Sequence, residues 1–176
     1  MPDREALRRM TKEKLIDLLE DSAKNWLAHD GLWFQAAERR FGIETAIELD
    51  ADAWKTFTAI EAQRIMRRHS ILAGGGLKAL AKALGFRMYA RLNQQSATWP
   101  SPDRLRFEMN TCRVQDARRR KGLPDFPCKQ VGLVEYAGFA SAIDPRIQTR
   151  CIACPPDAHP DSFWCAWEFT LPEEEA

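Results

Sequence analysis

From about Arg4 to Gln95 apolar residues recur at intervals of three and four with few prolines, a spacing that predicts about four helices. The first is expected from about Asp3 through Leu15, Leu18 and Leu19. Thr11 followed three residues later by Lys14 is a poor capping box, so its start is open. The second runs from about Ser22 to Arg40, with Trp26, Leu27, Trp33, Phe34, Ala37 and Phe41 on one wide stripe and Gly42 as its stop. A third covers about Glu44 to His69 on Ile47, Trp54, Phe57, Ile60 and Ile65. The run Gly74-Gly75-Gly76 then breaks the chain before a fourth, from Leu77 to about Gln94, built on Leu80, Leu84, Met88 and Leu92.

Beyond Ser96 the texture changes, because nine of the ten prolines lie at or after Pro100 and short elements replace long ones. Leu105, Phe107 and Met109 alternate with charged residues and predict a strand with one face on the core. Val114 to Lys121 reads as a short helix ending at Gly122, and Cys128 opens another through Val131, Val134 and Ala142. Ile147, Thr149 and Cys151 alternate in a second strand. Phe163, Cys165, Trp167, Phe169 and Leu171 share one face of a third. The loop between these strands, Cys154 to Asp161, is too rich in proline to be regular. The expected fold is α+β: an N-terminal helical layer packed on a small, mostly antiparallel sheet with two shorter helices. It forms a single domain over 1–176, with a helical half at 4–95 and a cysteine-bearing α+β half at 96–172.

Composition narrows the function classes. With 45% hydrophobic and 29% charged residues, 176 residues suit one ordinary globular domain. A net charge of +1 falls short of the basic excess that phosphate-backbone binding requires, so nucleic acid is not an expected partner. No stretch approaches the roughly 20 apolar residues of a membrane span. The start, Met1-Pro2-Asp3-Arg4-Glu5, is too acidic and polar for a signal peptide. A cytoplasmic location with no membrane partner is therefore expected. The glycine triplet can hold an anion at a helix start, but no GxxxxGK[ST] pattern and no preceding strand accompany it. A flexible joint, with no nucleotide site, is the expectation there.

Candidate chemistry concentrates in the five cysteines, spaced C-x15-C-x22-C-x2-C-x10-C from Cys112 through Cys128, Cys151 and Cys154 to Cys165. In a reducing compartment an odd number of cysteines points to thiols, metal ligands or catalytic groups rather than disulfides. Cys112 and Cys128 each start a helix, where the dipole lowers a thiol pKa and favours thiolate. Cys151 and Cys154 have the tight-turn chelating spacing of zinc and iron–sulfur ligation. A zinc or iron–sulfur site drawn from Cys112, Cys128, Cys151, Cys154 and Cys165 is expected, with packing an equal reading for Cys165 on its aromatic strand face.

Partners for these thiols come from the same half. Glu135 lies two helical turns beyond Cys128 on the same face, placed to line a pocket and handle protons. His159 and Asp157 sit in the proline-rich loop, as a lid, a ligand or plain solvated residues. Arg150 should point to the other face of its strand as a surface or anion-pairing residue. In the helical half, Asp30 beside His29 falls near the middle of an apolar stripe. A buried carboxylate there needs a partner, such as Arg64 or Arg87, or a function. Glu61 is near another stripe, but no Glu-x-x-His pair supports a di-iron bundle. Arg118-Arg119-Arg120-Lys121 and Glu173-Glu174-Glu175 read as solvated segments.

The stretch Met109-Asn110-Thr111-Cys112, then Cys128 ahead of a helix, then Phe163-Trp164-Cys165-Ala166-Trp167-Glu168-Phe169, resembles an uncharacterised family of bacterial and archaeal cytosolic proteins. That family is related to the L-2-amino-thiazoline-4-carboxylic acid hydrolases. Likeness to the uncharacterised family extends over nearly the whole chain, including Trp26-Leu27-Ala28-His29-Asp30-Gly31-Leu32-Trp33; likeness to the hydrolases is confined to the cysteine half. The resemblance implies a helical-plus-sheet domain with a small-molecule site and opening of a cyclic C–N or C–S bond by water. It matches Cys112, Cys128 and Cys165 to the recurrent cysteines of the hydrolases. Cys151-x2-Cys154 departs from their glycine-and-acid turn. Fold-level likeness alone establishes no chemistry.

Two readings stand. One is a hydrolase-like enzyme whose thiolate-rich metal site acts on a small molecule, with Glu135 or His159 handling protons. The other is a non-catalytic ligand- or redox-sensing module with a closed metal and aromatic-rich helices around a small apolar molecule. A homo-oligomer is compatible with both.

Overall fold

The first two predicted helices are one long helix preceded by a short one. In the computed structural model, which describes residues 4–172, α1 covers Arg4–Arg8 and α2 runs unbroken over Lys12–Phe41. Met1 to Asp3 and the run Glu173 to Glu175 lie outside the described residues. Thr11 caps α2 without any acid at Lys14, since its hydroxyl accepts the Lys14 N–H at 3.3 Å. Ser22, read as a helix start, instead donates its hydroxyl to the Leu18 carbonyl at 2.7 Å inside the helix. The first turns of α2 overhang the body and leave Leu15, Ile16, Leu18 and Leu19 exposed. Trp33 and Phe41, expected on the buried stripe, are 60% and 62% exposed, while Trp26 and Phe34 turn inward.

Helix α3, Ile43–His69, follows Gly42 directly, and α4 covers only Gly76–Leu84. The predicted fourth helix stops at Gly85 and gives way to a 3-10 turn at Met88–Arg91. Its cause is tertiary: Glu61 on α3 accepts the Arg87 Nε at 2.8 Å and the Met88 N–H at 3.4 Å, drawing the chain away from the helix axis. The glycine triplet is a clamped joint. Gly74 N–H donates to the Ile143 carbonyl at 2.9 Å, and Gly76 N–H donates to Asp144 Oδ2 at 3.0 Å.

The cysteine half contains β1 (Gln95–Ser101), β2 (Arg104–Met109), α5 (Arg113–Arg120), α6 (Lys129–Ile143), β3 (Gln148–Ala153) and β4 (Cys165–Thr170). The four strands form one antiparallel sheet in the order β1-β2-β4-β3. β1 gave no alternating signal because it is a largely exposed edge strand, a place that also tolerates Pro100. In β4 the residues Cys165, Trp167 and Phe169 face the core opposite Met109, Phe107 and Leu105. Phe163, expected on the same face, precedes the strand and packs with Ala153 and Ala166 instead. The other face carries Glu168, held by Arg150 at 2.7 Å and by Arg104 at 3.3 Å, so Arg150 is an anion-pairing residue.

Helix α6 is squeezed between the sheet and α3, and its glycines make that spacing possible. A Cβ at Gly132 would lie 2.7 Å from the Trp167 ring, and one at Gly138 would lie 2.7 Å from Thr58 Oγ1 on α3. Phe139, Ala140 and Ile143 complete its wholly buried face. Below α6, Asp144 joins the glycine joint to the sheet half, since Arg146 Nη2 reaches both Asp144 Oδ2 at 2.8 Å and the Gly74 carbonyl at 3.1 Å.

Hydrogen bonding to Arg146 holds the Asp144 carboxyl down at about 2. A carboxylate with a depressed folded pKa stabilises the fold above its unfolded value, and that contribution is lost as pH falls toward the folded one. Asp144→Ala is expected to lower stability at neutral pH by about 2 kcal/mol, the scale of hydrogen bonds to a charged group. In denaturant titrations the gap between parent and variant should close as pH drops from about 4 to about 2.

Candidate functional site

A cavity of about 410 Å³ opens between α2, α3, α5 and α6 and reaches down to β4. Its size is that of a small-molecule pocket, and its walls are largely apolar. From α2 come Leu27, Ala28, Gly31 and Phe34; from α3, Trp54; from the 3-10 turn, Tyr89; from α6, Val131 and Tyr136; from the sheet, Met109 and Trp167. The aromatic wall is a packed unit in which Trp26, Trp54, Phe57 and Tyr89 touch edge-on or stacked, with Tyr136 stacked on Trp167 at 4.5 Å.

Behind this wall lies Arg87, 2% exposed. Its Nε is 2.8 Å from Glu61 Oε2 and its Nη1 2.7 Å from Glu135 Oε1. Its guanidinium carbon lies 4.7 Å from the Phe139 ring centre and 5.6 to 5.7 Å from those of Tyr136, Trp54 and Tyr89. Burial by itself would strip the Arg87 charge, but Glu135 and Glu61 outweigh it and hold the group protonated. Arg87 is thus taken by Glu61 and Glu135 rather than by Asp30, and Arg64 is exposed on α3.

Four of the five cysteines line the cavity: Cys112, Cys128, Cys154 and Cys165. Cys112 and Cys128 are the residues that cap α5 and α6, as the helix-start argument expected. Gln115, 1% exposed, exchanges hydrogen bonds with both backbone groups of Phe126 at 2.8 Å and so sets the loop that delivers Cys128 to α6. Cys128 Sγ lies 3.5 Å from Cys154 Sγ, and the Trp167 indole N–H donates to Cys165 Sγ at 3.4 Å. Cys151 does not line the cavity. Among the described residues no group of three or more His, Cys, Asp or Glu is placed to hold one metal ion. The zinc or iron–sulfur expectation gains no ligand set from this arrangement.

The thiolate argument meets the opposite physics. Burial pushes the Cys112 thiol up to about 12, against the lowering effect of the Gln115 and Val114 backbone amides. Desolvation therefore overrides the helix dipole. Burial likewise raises Cys151 to about 11 despite Lys129. The Cys154 thiol is raised further by its contacts with Cys128 and Cys165 and by burial. These are protonated thiols at neutral pH, suited to apolar contact and slow exchange rather than to resting nucleophilic attack.

The carboxylates tell a different story. Glu135 lines the cavity, buried, with its pKa raised by burial against the pull of Arg87. Asp30 lines it too, raised by burial. Asp50 joins them, pushed up to about 7 by burial and then by the charges of Asp30 and Glu135. Sequence reasoning passed over Asp50, although it carries the signal that marked Asp30: a carboxylate in an apolar stripe, four residues before Trp54. His159 does not line the cavity; its ring sits 5.2 Å from Trp164, with Nδ1 3.1 Å from the Pro160 carbonyl. Asp157 is bound to Lys129 at 2.8 Å. Nor is the basic run plainly solvated: Arg118 is buried on Glu38 at 2.9 Å, and Arg119 pairs with Asp125 at 3.1 Å.

Cys112 should react with a small alkylating agent far more slowly than an unfolded cysteine at pH 8, with a rate that still climbs above pH 10. Peptide mapping by mass spectrometry would read this; rapid labelling of Cys112 at neutral pH would contradict the buried, protonated thiol.

Comparison with known proteins gives three findings. The model of one family, described as a family of unknown function, matches residues 8–171. No curated protein matches the chain. Among solved structures, trafficking protein particle complex subunit 3 from Naegleria fowleri, crystallised covalently bound to palmitic acid, is similar with a TM-score of 0.48 and 10% identity, over 92% of this chain and 98% of that one.

Proposed function

The chain belongs to that family, DUF6125, and for it we propose binding of a small, mainly apolar molecule in the cavity between the helices and β4. The observation that carries this is the cavity itself, about 410 Å³, with an aromatic wall, four thiols in its lining and a largely apolar surface. Cysteine side chains and tightly packed rings make a surface that water wets poorly, so an apolar ligand gains by displacing solvent there. Polar groups in the lining, among them Asp30, Asp50 and Glu135, fix the orientation of whatever enters.

Gly31 offers a direct test. It lies on α2 at the cavity wall, and a Cβ built there meets nothing within 4 Å. Gly31→Phe would fill the cavity from a helix that tolerates the change, because glycine in a helix interior is a weaker helix former than every ordinary residue except proline. Native mass spectrometry and thermal-shift screening with small apolar compounds should show ligands that stabilise the parent and leave Gly31→Phe unshifted at an equal or higher melting temperature. Equal binding by both proteins would place the ligand elsewhere.

Asp50 favours a second reading, hydrolysis of a small ring of the kind implied by the likeness to the L-2-amino-thiazoline-4-carboxylic acid hydrolases. With its carboxyl at about 7 inside a water-poor cavity, Asp50 is matched to general-base work. It would take a proton from water as the oxygen adds to the ring carbon, and return it to the departing nitrogen or sulfur as the ring opens. On this reading turnover of an aminothiazoline carboxylate rises through about pH 7, since the base must be ionised. Asp50→Asn abolishes it while apolar ligand binding persists. An unchanged rate in Asp50→Asn would remove this reading.

A further inference from the structure

The charged residues around the cavity are sorted by depth. Lys24, Arg113, Arg120 and Lys121 are exposed and contribute to the outer lining, whereas the lining acids Asp30, Asp50 and Glu135 are partly or wholly buried. No exposed acid lines the mouth among the described residues.

Two of these cations are already engaged. Lys24 contacts Asp21 at 3.1 Å and Glu20 at 3.6 Å, and Lys121 donates to Gln35 Oε1 at 2.8 Å. The buried Arg118, also in the lining, is held by both Glu38 oxygens and by the Pro124 carbonyl. Arg113 and Arg120 are different, because neither guanidinium has a hydrogen-bond or ion-pair partner among the described residues. They stand seven residues apart on α5, hence two turns along one face and about 10 Å between backbones. Of the two residues between them on that face, Ala117 lines the cavity and is too small to block the way in, whereas Asp116 is outside the lining and pairs with neither arginine.

A pair of guanidiniums without protein partners on either side of a small residue, at the rim of an apolar pocket, is an arrangement for one acidic group. Building on the proposed ligand-binding role of the cavity, we infer that its ligand is an apolar molecule carrying one anionic group, carboxylate, sulfonate or phosphate, which Arg113 and Arg120 hold at the mouth. The apolar body runs inward past Phe34 and Trp54 toward the thiols. The anion stays outside because the inner end already holds Glu135, Asp30 and Asp50, whose proximity would oppose a further negative charge. Guanidinium is the suited cation for this task, since its planar fork meets two oxygens at once and never loses its proton near neutrality.

Two fluorescent probes isolate the claim: anilinonaphthalene sulfonate and N-phenylnaphthylamine, the same ring system with and without an acidic group. The parent protein should bind the sulfonate saturably and roughly tenfold or more tighter than the neutral probe, the scale of a charge-assisted contact. Arg113→Gln/Arg120→Gln should erase that preference by weakening the sulfonate alone, with circular dichroism unchanged because both side chains are exposed. Lys55→Gln, an exposed cation outside the cavity lining, should leave both affinities as they were. Equal affinity for the two probes in the parent, or a sulfonate affinity untouched by the arginine variant, would overturn the anionic-end assignment and leave apolar binding intact. Failure of the parent to bind either probe, or equal binding of both by Gly31→Phe, would remove the cavity reading itself and this inference with it.

Discussion

The buried guanidinium of Arg87 is the constraint on which the rest of this structure hangs. A charge this deep is tolerable only if it is paired, and removing one partner of a buried pair typically costs about 3–5 kcal/mol. Here the partners come from two helices distant in sequence, Glu61 on α3 and Glu135 on α6, while four aromatic rings surround the cation. Its Nη2 has no hydrogen-bond acceptor in the structure and packs among the rings. The result fixes the 3-10 turn, α3 and α6 relative to one another. Trp54, Tyr89, Glu135 and Tyr136 are both the surroundings of Arg87 and the wall of the cavity. The pocket is thus the solvent-side face of a structural ion cluster.

That dependence explains why the cavity stays open. Aromatic side chains anchored by a central cation cannot collapse inward without breaking the pairing, and α6 cannot move toward the sheet because Gly132 already lies against the Trp167 ring. Polarity follows from the same geometry. Glu61 and Glu135 pair with the buried Arg87, four thiols join the apolar lining, and cations without a protein partner remain on α5. Such a gradient gives direction to a ligand with unlike ends.

Much of the fold was legible because most elements bury one face at a regular period. Strands β2, β3 and β4 announced themselves by alternation, and α3 and α6 by three-and-four spacing. The failures have separate causes. β1 is an edge strand with little burial, so it has no pattern to read. The junction of the first two predicted helices was a local hydrogen-bonding choice by Ser22 that composition does not reveal. The fourth helix ended early because Glu61, far away in sequence, captured Arg87 and Met88.

For the site, the sequence by itself determined which residue types would matter: a cysteine-rich second half, carboxylates embedded in apolar stripes, and helix starts at Cys112 and Cys128. Only the tertiary structure decided their chemistry. It set four of the cysteines around one cavity and left Cys151 out of its lining, took His159 away from it, and brought Asp50 beside Asp30 and Glu135. It also reversed the expected acidity of Cys112, because desolvation depends on everything packed around a sulfur, whereas the helix dipole depends on position along the chain. Periodicity records which face of an element is covered; it carries no record of what covers it, and the covering groups set pKa, pairing and access.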